Sequence, residues 1–233
     1  MKSTSKIPWP RIFAEGAAIV VSILLAFSIQ AWWDKRIQDE QLQGHLAALN
    51  RDFDQMHEGA MASYTNAKRA VNSGIELMTG ISTRKDWHRE TAVNLLVATI
   101  TYEVFSPSIG GYEALISSGS VEFLTSNTLK RELAAFFGSF EDTRSSEQIL
   151  ITNLAHFWRS PEFGQIVGVH RMPIPGFPEF DMPPVEGWND SEYFVNMIAV
   201  ITLDQMDVME DYQSLLERID SIRVVLTEEA RID

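Results

Sequence analysis

From Gly16 to Trp33 the chain runs for eighteen residues without Asp, Glu, Lys or Arg. At helical rise this run covers roughly 27 Å, close to the apolar thickness of a bilayer. Ile12, Phe13 and Ala14 extend it on the amino side. A helix buried in a soluble domain usually keeps one polar face. Here Ser22, Ser28 and Gln30 are the strongly polar side chains after Glu15, and they form no continuous stripe. Trp9 precedes the run and Trp32 and Trp33 close it, where an apolar ring with one N–H suits a bilayer boundary. Lys35 and Arg36 follow at once and can snorkel. A removable leader would end near Ala26-Phe27-Ser28, but the apolar pattern continues past that point to the Trp pair. The expectation is a retained transmembrane helix over residues 12–33, with Glu15 at its edge as an interfacial carboxylate or a contact for a partner span.

Beyond the Trp pair the apolar positions change period. Leu42, Leu46, Leu49, Phe53, Met56 and Ala60 step by four and three, the heptad spacing of a helix packed on other helices. A weaker continuation through Tyr64, Ala67, Val71, Ile75 and Met78 leads to Gly80. No proline falls between Arg11 and Ser106. The helix is therefore expected to leave the bilayer unbroken and to extend roughly 65–70 Å beyond it. Gly59 and Gly74 are its expected points of weakness or bending.

The rest of the chain also reads as helices. One is expected from Arg89 to Val104, with Val93, Leu96, Val97 and Ile100 on one side. SPSIGG, from Ser106, is a turn, and Tyr112 to Gly119 a short helix ended by its glycine. Ser126 or Asn127 can cap a long helix through Leu129, Leu133, Phe136, Phe137, Phe140, Ile151, Leu154 and Phe157 to Arg159, with Gly138 as a bend point. Residues 160–190 hold six prolines and cannot be one helix. This Pro-rich loop either packs across the bundle or docks a partner through Phe163, Phe177, Phe180 and Trp188. A last helix carries Phe194, Ile198, Ile201, Gln205, Val208, Tyr212, Leu215, Ile219, Ile222 and Leu226 in heptad steps, capped by Asn189, Asp190 or Ser191. Gln205 is its single polar seam position, able to set register or face a polar partner. No strand alternation is long enough to need a sheet. The expected fold is all-α: residues 1–11 a cytoplasmic tail, 12–33 a span, and 34–233 an elongated helical bundle continuous with it.

Charge and composition narrow the partners. The net charge is −13, yet Lys2, Lys6, Arg11 and Glu15 leave the first 33 residues at +2 and the remainder at −15. So acidic a body repels phosphate backbones, and nucleic acid is not an expected partner. The cations on the amino side outnumber Lys35 and Arg36 on the other, which favours a cytoplasmic amino terminus and a periplasmic body at a bacterial inner membrane. The chain has no cysteine, which excludes disulfides, thiolate metal sites and thiol nucleophiles.

Motifs that carry chemistry are few. His45, His57, His88, His156 and His170 form no pair at helical ligand spacing, and HExxH is absent. No Gly-rich phosphate loop or nucleophile elbow appears. Asp204, Asp207 and Asp211 share a helix face and, with Glu58 or Glu76, outline a bundle di-metal site. The Glu-x-x-His pairs of such sites are missing, so a solvated acidic face is expected. No cofactor, metal or catalytic residue is assigned.

Glu15, the run to Trp32 and Trp33, LAALNRDF from Leu46, and GYEALISSGSVEFLTSNTLKREL from Gly111 to Leu133 together resemble a family of bacterial single-pass membrane proteins of unknown function. Ala31 stands where that family carries Asn before the Trp. The resemblance implies a membrane anchor and a helical outer domain, and it carries no activity. The functional expectation is a non-enzymatic, membrane-anchored scaffold or accessory subunit, in contact with the lipid bilayer and with other subunits of a complex, respiratory or photosynthetic among the candidates, or with copies of itself. The alternative is an extracytoplasmic sensor that signals through a partner.

Overall fold

The computed structural model describes residues 9–166 and 185–229, with backbone alone for residues 9–14, 165–166 and 185–186. It is all-α, with no strand among the described residues. Helix α1 (Trp9–Ser82) is followed by α2 (Arg89–Ile100), α3 (Gly110–Ser117) and a 3-10 turn (Ser120–Phe123). Then come α4 (Asn127–Arg159), α5 (Pro161–Ile166), a second 3-10 turn (Val185–Trp188) and α6 (Glu192–Glu229).

Helix α1 is continuous over 74 residues, as the missing proline and the shift from apolar run to heptad spacing predict. It divides into three parts. The apolar part is exposed on every side, with Ile19, Leu24, Phe27 and Ile29 each more than half accessible. Asp34–Gln41 is exposed all round as well. From Leu42 onward one face of the helix is buried, through Leu46, Leu49, Phe53, Met56 and Ala60.

The bundle runs up, down, up, down. Gly74 lies against Thr202 while Asp54 pairs with Arg223, so α1 and α6 are antiparallel. Asn153 donates to Asp204 at one end and Arg218 to Glu132 at the other, so α4 and α6 are antiparallel too. Helix α6 packs along both α1 and α4, and α2 and α3 pack on α1. The fourth corner is thus filled by α2, an irregular segment Thr101–Ile109 and α3 in succession. All ten seam positions expected on α6 are buried. Ser126 caps α4 by accepting from the Leu129 N–H at 3.1 Å, and Ser191 caps α6 by accepting from the Phe194 N–H at 3.2 Å. Gly119 adopts φ 71°, the left-handed turn that separates α3 from the next element.

Beyond Ala60 the expected Ala67 and Val71 are buried and Tyr64 and Met78 pack partly against the core, but Ile75 is 48% exposed. Ser63, Ala70, Gly74, Leu77 and Ile81 are buried as well, and the small residues among them let α6 approach closely. Gly59 and Gly74 are contact points rather than hinges. A Cβ on Gly59 would meet the Phe105 ring at 3.2 Å, and one on Gly74 would meet Thr202 Oγ1 at 2.2 Å. Thr202 cannot easily yield, since it is 3% exposed and its hydroxyl donates to the Ile198 carbonyl at 2.7 Å. Alanine gains about 1 kcal/mol over glycine in helix propensity. Gly74→Ala is nonetheless expected to lose about 1–3 kcal/mol through overpacking. Gly138, within the unbroken α4, has open space around its would-be Cβ. Gly138→Ala is expected to stabilise by up to about 1 kcal/mol. Urea titration of the two variants checks the opposite signs.

Candidate functional site at a break in the bundle

The residues expected at a bilayer boundary occupy one stretch of α1. Trp9 is its first residue and Glu15 lies exposed at the start of the described apolar face. Trp32 and Trp33 are exposed, with ring centroids 6.2 Å apart. Arg36 sits 5.8 Å above the Trp32 ring and pairs with Glu40 at 3.3 Å. Lys35 stands beside it, exposed, on the same helix.

The residues expected to meet a partner through the Pro-rich loop behave differently. Phe163 is fully buried, its ring 4.4 Å from Phe157 and 5.0 Å from Trp158. Trp188 is 2% exposed and packs 5.0 Å from Phe194. Of the two alternatives, these residues take the packed one and are internal anchors, not partner contacts. The physical reason is the local caps: Ser160 accepts from the Phe163 N–H at 3.1 Å, which turns the chain back so that α5 closes on the end of α4. Phe177 and Phe180 lie outside the described residues.

The largest departure from expectation is at the end of α2. The helix stops at Ile100, not Val104, and Thr101 is extended at φ −81°, ψ 134°. The face is turned as well: Ala92, Leu96, Thr99 and Ile100 are buried, and Val97 is 45% exposed. Ending a helix here leaves carbonyls to satisfy. Gln205 and Tyr212 from the seam of α6 donate to carbonyls here, and Glu147 from the seam of α4 accepts an N–H. Gln205, 1% exposed, donates its amide to the Thr99 carbonyl at 3.2 Å and the Thr101 carbonyl at 3.1 Å. Tyr212 donates its hydroxyl to the Glu103 carbonyl at 3.2 Å and also to Glu147 Oε1. Glu147, 5% exposed, accepts the Phe105 N–H at 3.0 Å. The Phe105 ring then fills the corner, centred 6.0 Å from Phe140 and 6.3 Å from Tyr212. From outside, the Asn66 amide donates to the Glu103 carboxylate.

Gln205 therefore does face a polar partner, the backbone of its own chain. Glu147 was not legible as a core residue. Its signal was position: Leu133, Phe136, Thr143, Glu147, Leu150 and Leu154 lie on one buried heptad face of α4, and a reading that follows only apolar residues passes over the two polar ones. The space inside the cluster is about 10 Å³, at the lower limit for a single water. It admits no substrate, so the cluster's chemistry is to hold backbone in place.

Burial pushes the Tyr212 phenol above its ordinary range, and the hydrogen bond to Glu147 and that residue's charge add to the effect. A raised phenol pKa contributes stability in full while the unfolded chain's tyrosine stays protonated, below about pH 10. Above that, the unfolded chain releases a proton that the folded chain keeps, so stability falls as pH rises. Thermal melts from pH 9 to 11 are expected to show this decline in the native chain, and a shallower one in Tyr212→Phe.

Asp204 accepts from the Asn153 amide at 2.8 Å, and among the described residues no three His, Asp or Glu side chains are grouped to hold a metal ion. An open groove of about 420 Å³ lies outside the break, lined by Asn66, Arg69, Asn94, Val97, Tyr102 and Glu103 among others.

Fold and surface together define a class: an antiparallel α-bundle whose first helix projects an exposed apolar segment long enough to cross a membrane. Comparisons with known proteins narrow it no further. No protein-family model and no solved structure match the chain. A stretch of 72 residues is 28% identical to the DNA-directed RNA polymerase subunit beta of Brucella canis, Brucella suis and Brucella abortus. It covers 31% of this chain and 5% of each of those subunits, so the chain spans a small fraction of the relatives it matches and takes no activity from them.

Proposed function

We propose that the protein is a membrane-anchored, non-enzymatic helical scaffold or accessory subunit of a larger bacterial membrane complex. One observation carries the reading: Gly16–Trp33 is free of charge and exposed on every side, on the helix that also forms the spine of the bundle. Water does not tolerate so large a contiguous apolar surface, and lipid does. In this reading Trp32 and Trp33 mark the outer boundary, Arg36 snorkels beside Trp32, and the body stands in the periplasm of a single-pass inner-membrane protein. The excess of Lys2, Lys6 and Arg11 over Lys35 and Arg36 supports that orientation. The lack of native cysteine makes it easy to test. In spheroplasts a membrane-impermeant maleimide is expected to label Ser145→Cys and not Ser3→Cys; the reverse pattern inverts the topology.

Partnership is tested by gentle detergent extraction and sizing. A particle larger than one chain, with its components identified by mass spectrometry, supports the subunit reading. A strictly monomeric, partner-free particle sinks it. A second reading, an extracytoplasmic sensor, draws support from the interrupted corner: a bundle held together there by a few polar contacts has a natural point at which a ligand shifts its stability. A small molecule that raises the melting temperature would favour it.

A further inference from the structure

The segment Thr101–Ile109 uses its backbone in alternation. The groups at Thr101, Glu103 and Phe105 are bonded inward, to Gln205, Tyr212 and Glu147. A period of two is the mark of extended chain, in which successive residues turn their N–H and C=O to opposite sides. Ser106 precedes Pro107 and is held in the same region of conformation. The groups of the even residues therefore point the other way. Among the described residues the backbone of Tyr102 and Val104 makes no hydrogen bond. Their side chains are 44% and 47% exposed, and Tyr102 shares the outer groove with Val97, itself 45% exposed. The all-helical bundle thus carries one short extended segment, bonded on its inner side by side chains and open on its outer side.

From this geometry we infer that the outer edge of Thr101–Ser106 takes an extended peptide from a partner protein by strand addition. The backbone argues for the occupant: donors and acceptors repeating every second residue match another extended backbone and no globular surface. Tyr102, Val104 and Val97 supply apolar contacts to alternate side chains of that peptide. Charge sets its sign. Arg69 lines the adjoining groove, has no acidic partner among the described residues, and stands out on a chain of net charge −13. An Asp or Glu of the peptide faces it. The inference rests on the scaffold reading and names the kind of partner segment it binds.

The test uses the full chain in nanodiscs and a phage-displayed random hexapeptide library as the probe. Selected peptides are expected to be rich in β-branched residues with at least one acid. Val104→Pro removes one outer-edge N–H and suits backbone that is already extended. It is expected to weaken the selected peptides about ten-fold, the worth of one backbone hydrogen bond. Arg69→Ala is expected to weaken the acidic ones alone. Hydrogen exchange on the unmutated protein gives a readout that does not depend on any variant folding: adding a selected peptide is expected to slow the Tyr102 and Val104 amides. No enrichment, equal binding to Val104→Pro, or unchanged exchange at these amides overturns the proposal. Protection that appears with protein concentration alone assigns the edge to a second copy and overturns it as well. A monomeric particle from native membranes that still binds the selected peptides sinks the scaffold reading and leaves this one standing.

Discussion

Removing residues 1–33 is expected to move the protein from the membrane pellet to the aqueous supernatant on ultracentrifugation and to leave the bundle folded. The first half follows from exposure. Ile19, Val21, Leu24, Leu25 and Phe27 are each about half or more accessible, and nothing in the bundle covers them. Fully burying one such side chain is worth about 1.5–3 kcal/mol. A single charge at the centre has the converse effect: Leu24→Arg is expected to oppose insertion by about 2.5–3.5 kcal/mol. The second half follows from where packing begins. Asp34–Gln41 is exposed on all sides, and the buried face starts at Leu42 and Leu46. The truncated chain keeps every core contact, so its melting curve by circular dichroism is expected to overlay that of the full chain in detergent. A truncated chain that stays with the pellet after an alkaline carbonate wash removes the anchor from the account.

Glu147→Ala carries the largest expected loss of stability. It strips the acceptor from the buried Phe105 N–H and one of the two acceptors from the Tyr212 hydroxyl, which is left with the Glu103 carbonyl alone. A buried donor left unsatisfied loses about 1–3 kcal/mol, and the missing side chain leaves a void beside Leu150. The total is expected near about 3–4 kcal/mol, or roughly 6–16 °C in melting temperature for a domain of this size. Glu147→Gln keeps an acceptor and is expected to lose about 1 kcal/mol. Tyr212→Phe in the Glu147→Ala background is expected to add less than it does in the native chain, because the contact with Glu147 is already gone and only the bond to the Glu103 carbonyl remains to lose, and a coupling above about 0.5 kcal/mol makes that quantitative. Hydrogen exchange should place the damage: Phe105 opens first while α6 keeps its protection. If Glu147→Ala melts within about 0.5 kcal/mol of the native chain, the cluster is not what holds the corner.

Local pattern was enough for much of the architecture. The ten seam positions of α6, the Ser126 cap, the glycine stop after α3 and the unbroken α1 each follow from spacing and side-chain type within a dozen residues. What was not legible depends on partners far away in the chain. The end of α2 at Ile100 is set by Gln205, more than a hundred residues on, whose amide claims two carbonyls that a longer helix would have used itself. The inward turn of Phe163 and Trp188 was equally hidden. Their aromatic character marks them as anchors, but only the closure of α5 on α4 decides that the anchorage is internal. On the upper part of α1 Ala67 and Val71 were read correctly, but Ile75 was not, because Ser63, Ala70 and Gly74 share the buried face and small side chains give periodicity little to register. The candidate site was half visible: Gln205 drew notice as a polar intruder on an apolar face, while Glu147 followed Glu141, Asp142 and Arg144 on a polar stretch where one more acid draws none.

The exposed stretch Asp34–Gln41 fixes more than a distance. With no proline or glycine in it, and helix continuing on both sides, it works as a crankshaft between two environments. One residue inserted there would lift the domain by about 1.5 Å and swing it through about 100°. The open backbone of Tyr102 and Val104 and the Arg69 side chain would then point to a different azimuth. In the anchored reading proposed above, any neighbour fixed in the plane of the lipid would meet the domain at a single compass bearing, and a rotation of the apolar end would be carried along the helix to the far one.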